Sequence, residues 1–181
     1  MNKPQGKIII ISGPSGVGKD SAIKSLIKRN NKIKYIVPFT TREIRSNEKN
    51  GIDYHFIHKE DFFYSYKNND LFEWDYVLDN YYGFYKENFP LEPKSILITH
   101  ALARMALRIK SKSKTVQTVF IMPDDYNILH TRLNGSDRNS NLVERLRHGV
   151  EEESHSNLFD VLVDSMETEI IVSAIEKHLQ T

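Results

Sequence analysis

The most constraining feature of the chain is a glycine-rich segment between a predicted strand and a predicted helix. The apolar, β-branched run at 7–12 predicts a buried strand, and apolar residues at helical spacing in 21–28 predict a helix. Between them, Gly13 and Gly18 enclose four residues, and Lys19 follows directly. Such a loop directs backbone N–H groups toward an anion, and the start of the helix adds a favourable dipole. The pattern therefore predicts an ATP-phosphate loop made of Gly13, Pro14, Ser15, Gly16, Val17, Gly18, Lys19, Asp20 and Ser21.

The residue after the loop lysine is unusual. Serine or threonine is typical of this position because its hydroxyl binds Mg²⁺, whereas this chain has Asp20 followed by Ser21. An aspartate also offers an oxygen ligand to Mg²⁺. Two interpretations stay open: Asp20 ligates the ion, or Asp20 only caps the helix while Ser21 or water serves the metal.

Composition excludes several classes of protein. The chain has 181 residues, 25 Lys plus Arg against 24 Asp plus Glu, and a net charge of +1, which argues against binding nucleic acid through bulk charge. It has no cysteine, so disulfides and zinc-thiolate sites are excluded. The apolar runs are too short for a signal peptide or a membrane span. We expect a cytoplasmic protein with small-molecule substrates and no membrane partner; the oligomeric state stays open.

The aromatic residues indicate an inserted lobe. Of 9 tyrosines, 9 phenylalanines and 1 tryptophan, 14 lie between residues 54 and 89. We predict a single domain with a core of residues 1–39 and 91–181, and a small β-rich lobe at 40–90 with an aromatic core. Outside the lobe, strand patterns alternate with helix patterns, which predicts an α/β fold whose parallel sheet has helices on both faces. The further strands are predicted at 33–39, 95–99, 115–121 and 159–163, and the helices at 101–109, 142–156 and 166–179. The acidic pair Asp124 and Asp125 is suited to cap a further helix that runs to Leu133.

A second cluster of motifs follows the phosphate loop. Arg42 and Arg45 lie in a polar segment, and arginine binds phosphate oxygens in bidentate fashion. Further along stand the strings Asp-Tyr-His-Phe at 53–56, Phe-Glu-Trp at 72–74 and Asn-Tyr-Tyr-Gly at 80–83. In order and spacing, this series resembles the guanylate kinase family from residue 7 to residue 83, and more loosely beyond. The resemblance implies a P-loop α/β fold and ATP·Mg²⁺-dependent phosphorylation of a nucleoside monophosphate, GMP or dGMP.

The resemblance also implies roles for individual residues. Glu73 would accept hydrogen bonds from guanine, since a carboxylate only accepts and guanine offers two adjacent donors. A short lid is predicted at about 134–141, and by resemblance its arginines would contact ATP phosphates together with Lys19. The implied phosphate ligands of the acceptor are Arg42, Arg45, Tyr54 and Tyr82; the implied catalytic residues are Lys19, Arg138 and Arg145.

Three positions depart from the family pattern on the side of the base. Phe84 stands where the family has serine or threonine, Pro38 where it often has serine, and His100 where it usually has an acid. Two other functions therefore stay open. One is a ribose 1,5-bisphosphate phosphokinase-like enzyme, whose loop resembles the Gly-Lys-Asp sequence at 18–20. The other is a non-catalytic guanylate-kinase-like binding module.

Overall fold

The computed structural model describes residues 6–89, 95–134 and 142–179. The described strands are β1 (Lys7–Ser12), β2 (Ile33–Tyr35), β3 (Phe39–Thr40), β4 (His55–Phe56), β5 (Leu71–Val77), β6 (Asn80–Tyr85), β7 (Ile96–His100), β8 (Val116–Met122) and β9 (Val161–Asp164). The described helices are α1 (Lys19–Arg29), α2 (Lys59–Lys67), α3 (Ala103–Lys112), α4 (Tyr126–Asn134), α5 (Leu142–Glu153) and α6 (Thr168–Leu179). Within these ranges, no helix has both the length and the apolarity needed to cross a membrane.

The core is the predicted parallel sheet. Its strand order is β2-β7-β1-β8-β9, and every neighbouring pair is parallel. Buried aliphatic residues cover both faces: Ile9 and Ile11 point to one cluster, and Ile8 and Ile10 to the other. Alternation along β1 thus divides one apolar run between two layers of helices, as expected for a strand buried on both faces. The predicted α/β fold is confirmed.

The lobe has its own sheet and its own aromatic core. The second sheet has the order β4-β3-β6-β5, with β3 antiparallel to β6 and β6 antiparallel to β5. The ring of Phe62, on α2, stacks on that of Tyr81 at a centroid distance of 3.8 Å, and Phe39 and Trp74 pack around them. Helix α2 packs on this sheet through Phe62, so the lobe is not purely β-structured.

One predicted strand was wrong in extent. The run at 33–39 divides into β2 in the core sheet and β3 in the lobe sheet. Ile36 still donates its backbone N–H to Ile98 of the core, whereas the carbonyl of Pro38 accepts from His55 of the lobe. The chain therefore changes sheets within three residues, and a continuous apolar run conceals the change.

Candidate active site

The phosphate loop connects β1 to α1, as predicted. Gly13, Gly16 and Gly18 all have positive φ angles, of 138°, 87° and 114°. At Gly13 a Cβ atom would come within 2.4 Å of the carbonyl oxygen of Ile121, so both the backbone angle and the space require glycine. Gly18 occupies the N-cap position of α1, which places the loop N–H groups at the positive end of the helix.

Two cations bind to the loop itself. The ammonium of Lys19 donates to the carbonyl oxygens of Gly13 at 2.6 Å and Pro14 at 2.9 Å. The guanidinium of Arg145, on α5, is buried and donates to the Ser15 hydroxyl at 3.1 Å. A helix far along the chain thus brings a second positive charge to the loop. Arg138, in the lid predicted at 134–141, lies outside the described residues.

Asp20 lies in the first turn of α1 but does not cap the helix, because Gly18 holds that position. Its side chain is exposed, and one carboxylate oxygen lies 3.5 Å from Nδ1 of His100. Ser21 is also exposed. Within the described ranges, no three His, Cys, Asp or Glu side chains form a metal-binding group. One exposed carboxylate beside a phosphate loop fits Mg²⁺, which takes one or two protein oxygens together with phosphate oxygens and water.

Arg42 and Arg45, which we call the arginine clamp, both bind Glu48, a residue that the sequence did not reveal. The fork of Arg42 binds both carboxylate oxygens of Glu48, at 2.6 and 2.7 Å. Arg45 adds a backbone N–H at 3.1 Å and a guanidinium contact at 3.4 Å. Burial disfavours the ionised form of Glu48, but the bonds from Arg42 and Arg45 outweigh it and lower its pKa. Glu48 thereby fixes both guanidinium groups at one place.

Two tyrosines extend the clamp into the cleft between lobe and core. The rings of Tyr54 and Tyr82 meet edge to face at 6.1 Å, and the guanidinium of Arg42 lies 5.1 Å from the centre of the Tyr54 ring. The Tyr54 hydroxyl lies 2.8 Å from Nε2 of His100. The Tyr35 hydroxyl lies 3.1 Å from Nδ1 of the same ring. Tyr35 was not a predicted site residue, since nothing local in β2 indicates its partner 65 positions away.

The carboxylate of Glu73, the predicted guanine ligand, is paired with two cations of α3. Its carboxylate accepts from Nε of Arg108 at 2.9 Å and lies 2.8 Å from the ammonium of Lys112, both on α3. Burial opposes its ionisation, yet these two cations lower its pKa. Opposite it across the strand pair, Phe84 is completely buried in the core cluster that includes Met105. Glu73 does not line the cavity described below.

A second carboxylate does reach the site. Glu152, on α5, is 6% exposed, and both of its oxygens accept from the backbone N–H of Ala103, at 3.0 and 2.9 Å. It thereby binds the first turn of α3, where the helix dipole favours negative charge. Burial nevertheless dominates and raises the pKa of Glu152 to about 7. Sequence alone shows three consecutive glutamates at 151–153 and not which of them faces inward.

One cavity joins these groups. It is lined by the phosphate loop with Lys19 and Arg145, by the clamp residues Arg42 and Arg45, and by both clamp tyrosines. Pro38 and His100, two of the positions that depart from the family pattern, also line it. A loop shaped for a polyphosphate thus faces a cationic pocket shaped for a second anion.

A P-loop core, an inserted lobe and a cavity that is lined by both are the features of a nucleoside monophosphate kinase. The guanylate kinase family model matches residues 5–181. A guanylate kinase of Pseudoalteromonas translucida is 33% identical over 180 residues, covering 97% of this chain and 87% of that protein. One of Carboxydothermus hydrogenoformans is 32% identical, covering 97% and 88%.

A solved structure agrees with the sequence matches. The crystal structure of guanylate kinase from Anaplasma phagocytophilum has a TM-score of 0.83 at 25% identity, covering 99% of this chain and 87% of that one. The chain belongs to the guanylate kinase family.

Proposed function

We propose that the protein transfers the γ-phosphoryl group of ATP to GMP or dGMP and so forms ADP and the nucleoside diphosphate, in the cytoplasm. The observation that carries this proposal is the single cavity that joins the phosphate loop to the arginine clamp. The relatives support it as well: the similar proteins of Pseudoalteromonas translucida and Carboxydothermus hydrogenoformans are both named guanylate kinases.

The phosphate loop would bind ATP, the phosphoryl donor. The β- and γ-phosphates would lie against the loop N–H groups, where the Lys19 ammonium exchanges its bonds to loop carbonyls for bonds to phosphate oxygens. Arg145, fixed beside Ser15, and Arg138 of the lid would neutralise charge on the moving group. Mg²⁺, held by Asp20, with Ser21 as the alternative ligand, would supply further neutralisation of the phosphate charge.

The arginine clamp would bind the nucleoside monophosphate, the phosphoryl acceptor. Arg42 and Arg45 would bind the acceptor phosphate, with the hydroxyls of Tyr54 and Tyr82 donating to its remaining oxygens. An oxygen of this phosphate is already anionic, so it attacks the γ-phosphorus without a protein base. The bond between that phosphorus and the β–γ bridging oxygen breaks, and ADP leaves. The protein's part is to align the two phosphates and stabilise their charge.

We assign base recognition to Glu73, although its carboxylate already binds two cations of the protein. To accept from the two guanine donors, Glu73 has to exchange at least one of its contacts to Arg108 and Lys112. Phe84, Pro38 and His100 add no hydrogen bond of the kind expected from serine, threonine or an acid at those positions. We therefore expect weak discrimination between purines, because each neutral hydrogen bond contributes only roughly 0.5–1.5 kcal/mol.

An acceptor panel tests the proposal. The purified protein is assayed for ADP release with ATP, Mg²⁺ and each of GMP, dGMP, AMP, CMP, UMP and ribose 1,5-bisphosphate. We expect the highest kcat/KM with GMP or dGMP. Turnover of ribose 1,5-bisphosphate alone would overturn the proposal in favour of the sugar-phosphate kinase. No turnover and no binding of any acceptor by calorimetry would favour the binding module.

A further inference from the structure

The buried ring of His100, which lines the cavity, connects two tyrosine hydroxyls. Tyr35 approaches Nδ1 from β2 at 3.1 Å, and Tyr54 approaches Nε2 from the lobe at 2.8 Å. The Tyr35 ring is stacked on the imidazole, and the Tyr54 ring meets it edge to face. Both ring nitrogens therefore have a hydroxyl partner, and the ring is held from both sides.

The protonation of the three groups limits how they bond. Each nitrogen of the His100 ring faces one hydroxyl, and a neutral imidazole carries one N–H and one acceptor nitrogen. Burial raises the pKa of Tyr35 and of Tyr54, so each keeps its O–H. In a continuous chain of bonds, one tyrosine must donate to the ring and the other must accept from it.

The two arrangements have different consequences for the acceptor phosphate. If Tyr35 donates to Nδ1, then Nε2–H donates to Tyr54, and the O–H of Tyr54 is directed into the cavity. In the reverse arrangement the O–H of Tyr54 donates to Nε2. Nδ1–H then faces Tyr35 and a carboxylate oxygen of Asp20, which lies 3.5 Å from Nδ1. A phosphate oxygen only accepts hydrogen bonds, so the first arrangement is the one that serves it.

We propose that Tyr35 is a positioning residue for the acceptor phosphate, acting through the tautomer of His100 on the direction of the Tyr54 O–H. The proposal rests on the proposed function, because it presumes that Tyr54 binds that phosphate. Tyr35 itself does not line the cavity, so its effect on the substrate is indirect. Its hydrogen-bonded connection to Tyr54 runs through the imidazole.

A double-mutant cycle tests the connection. The variants are Tyr35→Phe, Tyr54→Phe and the double variant, assayed for KM of GMP and KM of ATP. We expect Tyr35→Phe alone to raise KM for GMP about threefold to tenfold, the value of one redirected hydrogen bond, and to change KM for ATP less than twofold. In the Tyr54→Phe background the same change should have less than a twofold effect, because the group through which it acts is gone.

Three further variants separate positioning from a structural role. Tyr85→Phe removes another partly buried tyrosine hydroxyl, one that bonds Ser65 away from the cavity, and should leave KM for GMP unchanged. His100→Gln, whose amide both accepts and donates, should keep a lower KM for GMP than His100→Leu. Circular dichroism checks that each variant is folded.

Specific outcomes would overturn the inference. Equal increases of KM in both backgrounds, or an active Tyr35→Phe enzyme with the wild-type KM for GMP, would show that Tyr35 does not act through Tyr54. A wild-type protein that phosphorylates no nucleoside monophosphate would instead contradict the proposed function.

Discussion

Both carboxylate oxygens of Glu48 accept hydrogen bonds from Arg42, at 2.7 Å from Nη1 and 2.6 Å from Nη2. The clamp that we propose for the acceptor phosphate is thus assembled around an anion that belongs to the protein. Glu48 holds the guanidinium plane in place before any substrate arrives, so less side-chain entropy is lost when the phosphate binds.

Removing this internal anion should weaken both the fold and the clamp. Glu48→Ala leaves two partly buried guanidinium groups without their carboxylate. We expect unfolding free energy to fall by roughly 1–3 kcal/mol, between the values of exposed and fully buried ion pairs, and KM for GMP to rise. Urea denaturation and steady-state kinetics measure the two effects. Glu43→Ala, at an exposed position of the same segment, is the control; if both variants behave alike, Glu48 has no such role.

Lys19→Ala tests the donor side. The ammonium is expected to bind charge that develops on the phosphates during transfer, a contribution that is worth roughly 10²–10³ in kcat for a single well-placed donor. We expect kcat to fall by about that factor, with little change in the thermal unfolding midpoint. Lys28→Ala, exposed on the same helix, should be as active as the wild type. Undiminished activity of Lys19→Ala would refute the assignment.

Glu73→Gln tests base recognition. A glutamine offers one acceptor and one donor where guanine presents two donors, so the variant should lose affinity for guanine specifically. We expect KM for GMP to rise roughly tenfold, KM for AMP to change little, and KM for ATP to stay constant. Glu87→Gln, exposed beyond the end of β6, is the control. An equal increase of KM for GMP and for AMP would show that Glu73 only binds the cations of α3 and does not recognise the base.

Glu152 should make stability depend on pH. Burial raises its pKa to about 7 in the folded protein, against about 4.3 for an unfolded glutamate. Between those values the native state holds a proton that the unfolded state has released, so the stabilising contribution is lost as pH rises through this window. Relative to Glu152→Gln, the wild type should lose up to about 3 kcal/mol of unfolding free energy between pH 5 and pH 8.

Chemical denaturation at several pH values measures this difference. Glu144→Gln, exposed on the same helix, should show the pH dependence of the wild type. If the pH profiles of wild type and Glu152→Gln run parallel, Glu152 is ionised in the native state throughout the range.

The local parts of the fold were predictable from sequence because their causes are local. The phosphate loop needs glycines where φ is positive, and α4 begins where Asp125 accepts the N–H of Asn127 at 2.7 Å, as the acidic pair at 124–125 predicts. The aromatic core of the lobe follows from the density of rings between residues 54 and 89. Each of these signals lies within a few residues of the structure that it predicts.

The distant contacts of the site were not predictable. Glu73 stands 35 positions before Arg108, and Tyr35 stands 65 positions before His100. Their partners are determined by which strands and helices the topology brings together, and no single-sequence pattern records that. The change of sheet after Tyr35 was missed for the same reason, since an apolar residue suits either sheet.

The change of sheet between β2 and β3 makes the connection between core and lobe short along this strand. The backbone of Ile36 is bonded to the core and that of Pro38 to the lobe, and the proline ring fixes its own φ. Val37 lies between these two anchors. Any rotation of Arg42 and its clamp toward the phosphate loop must therefore be taken up along this strand by the few torsion angles between these two anchors.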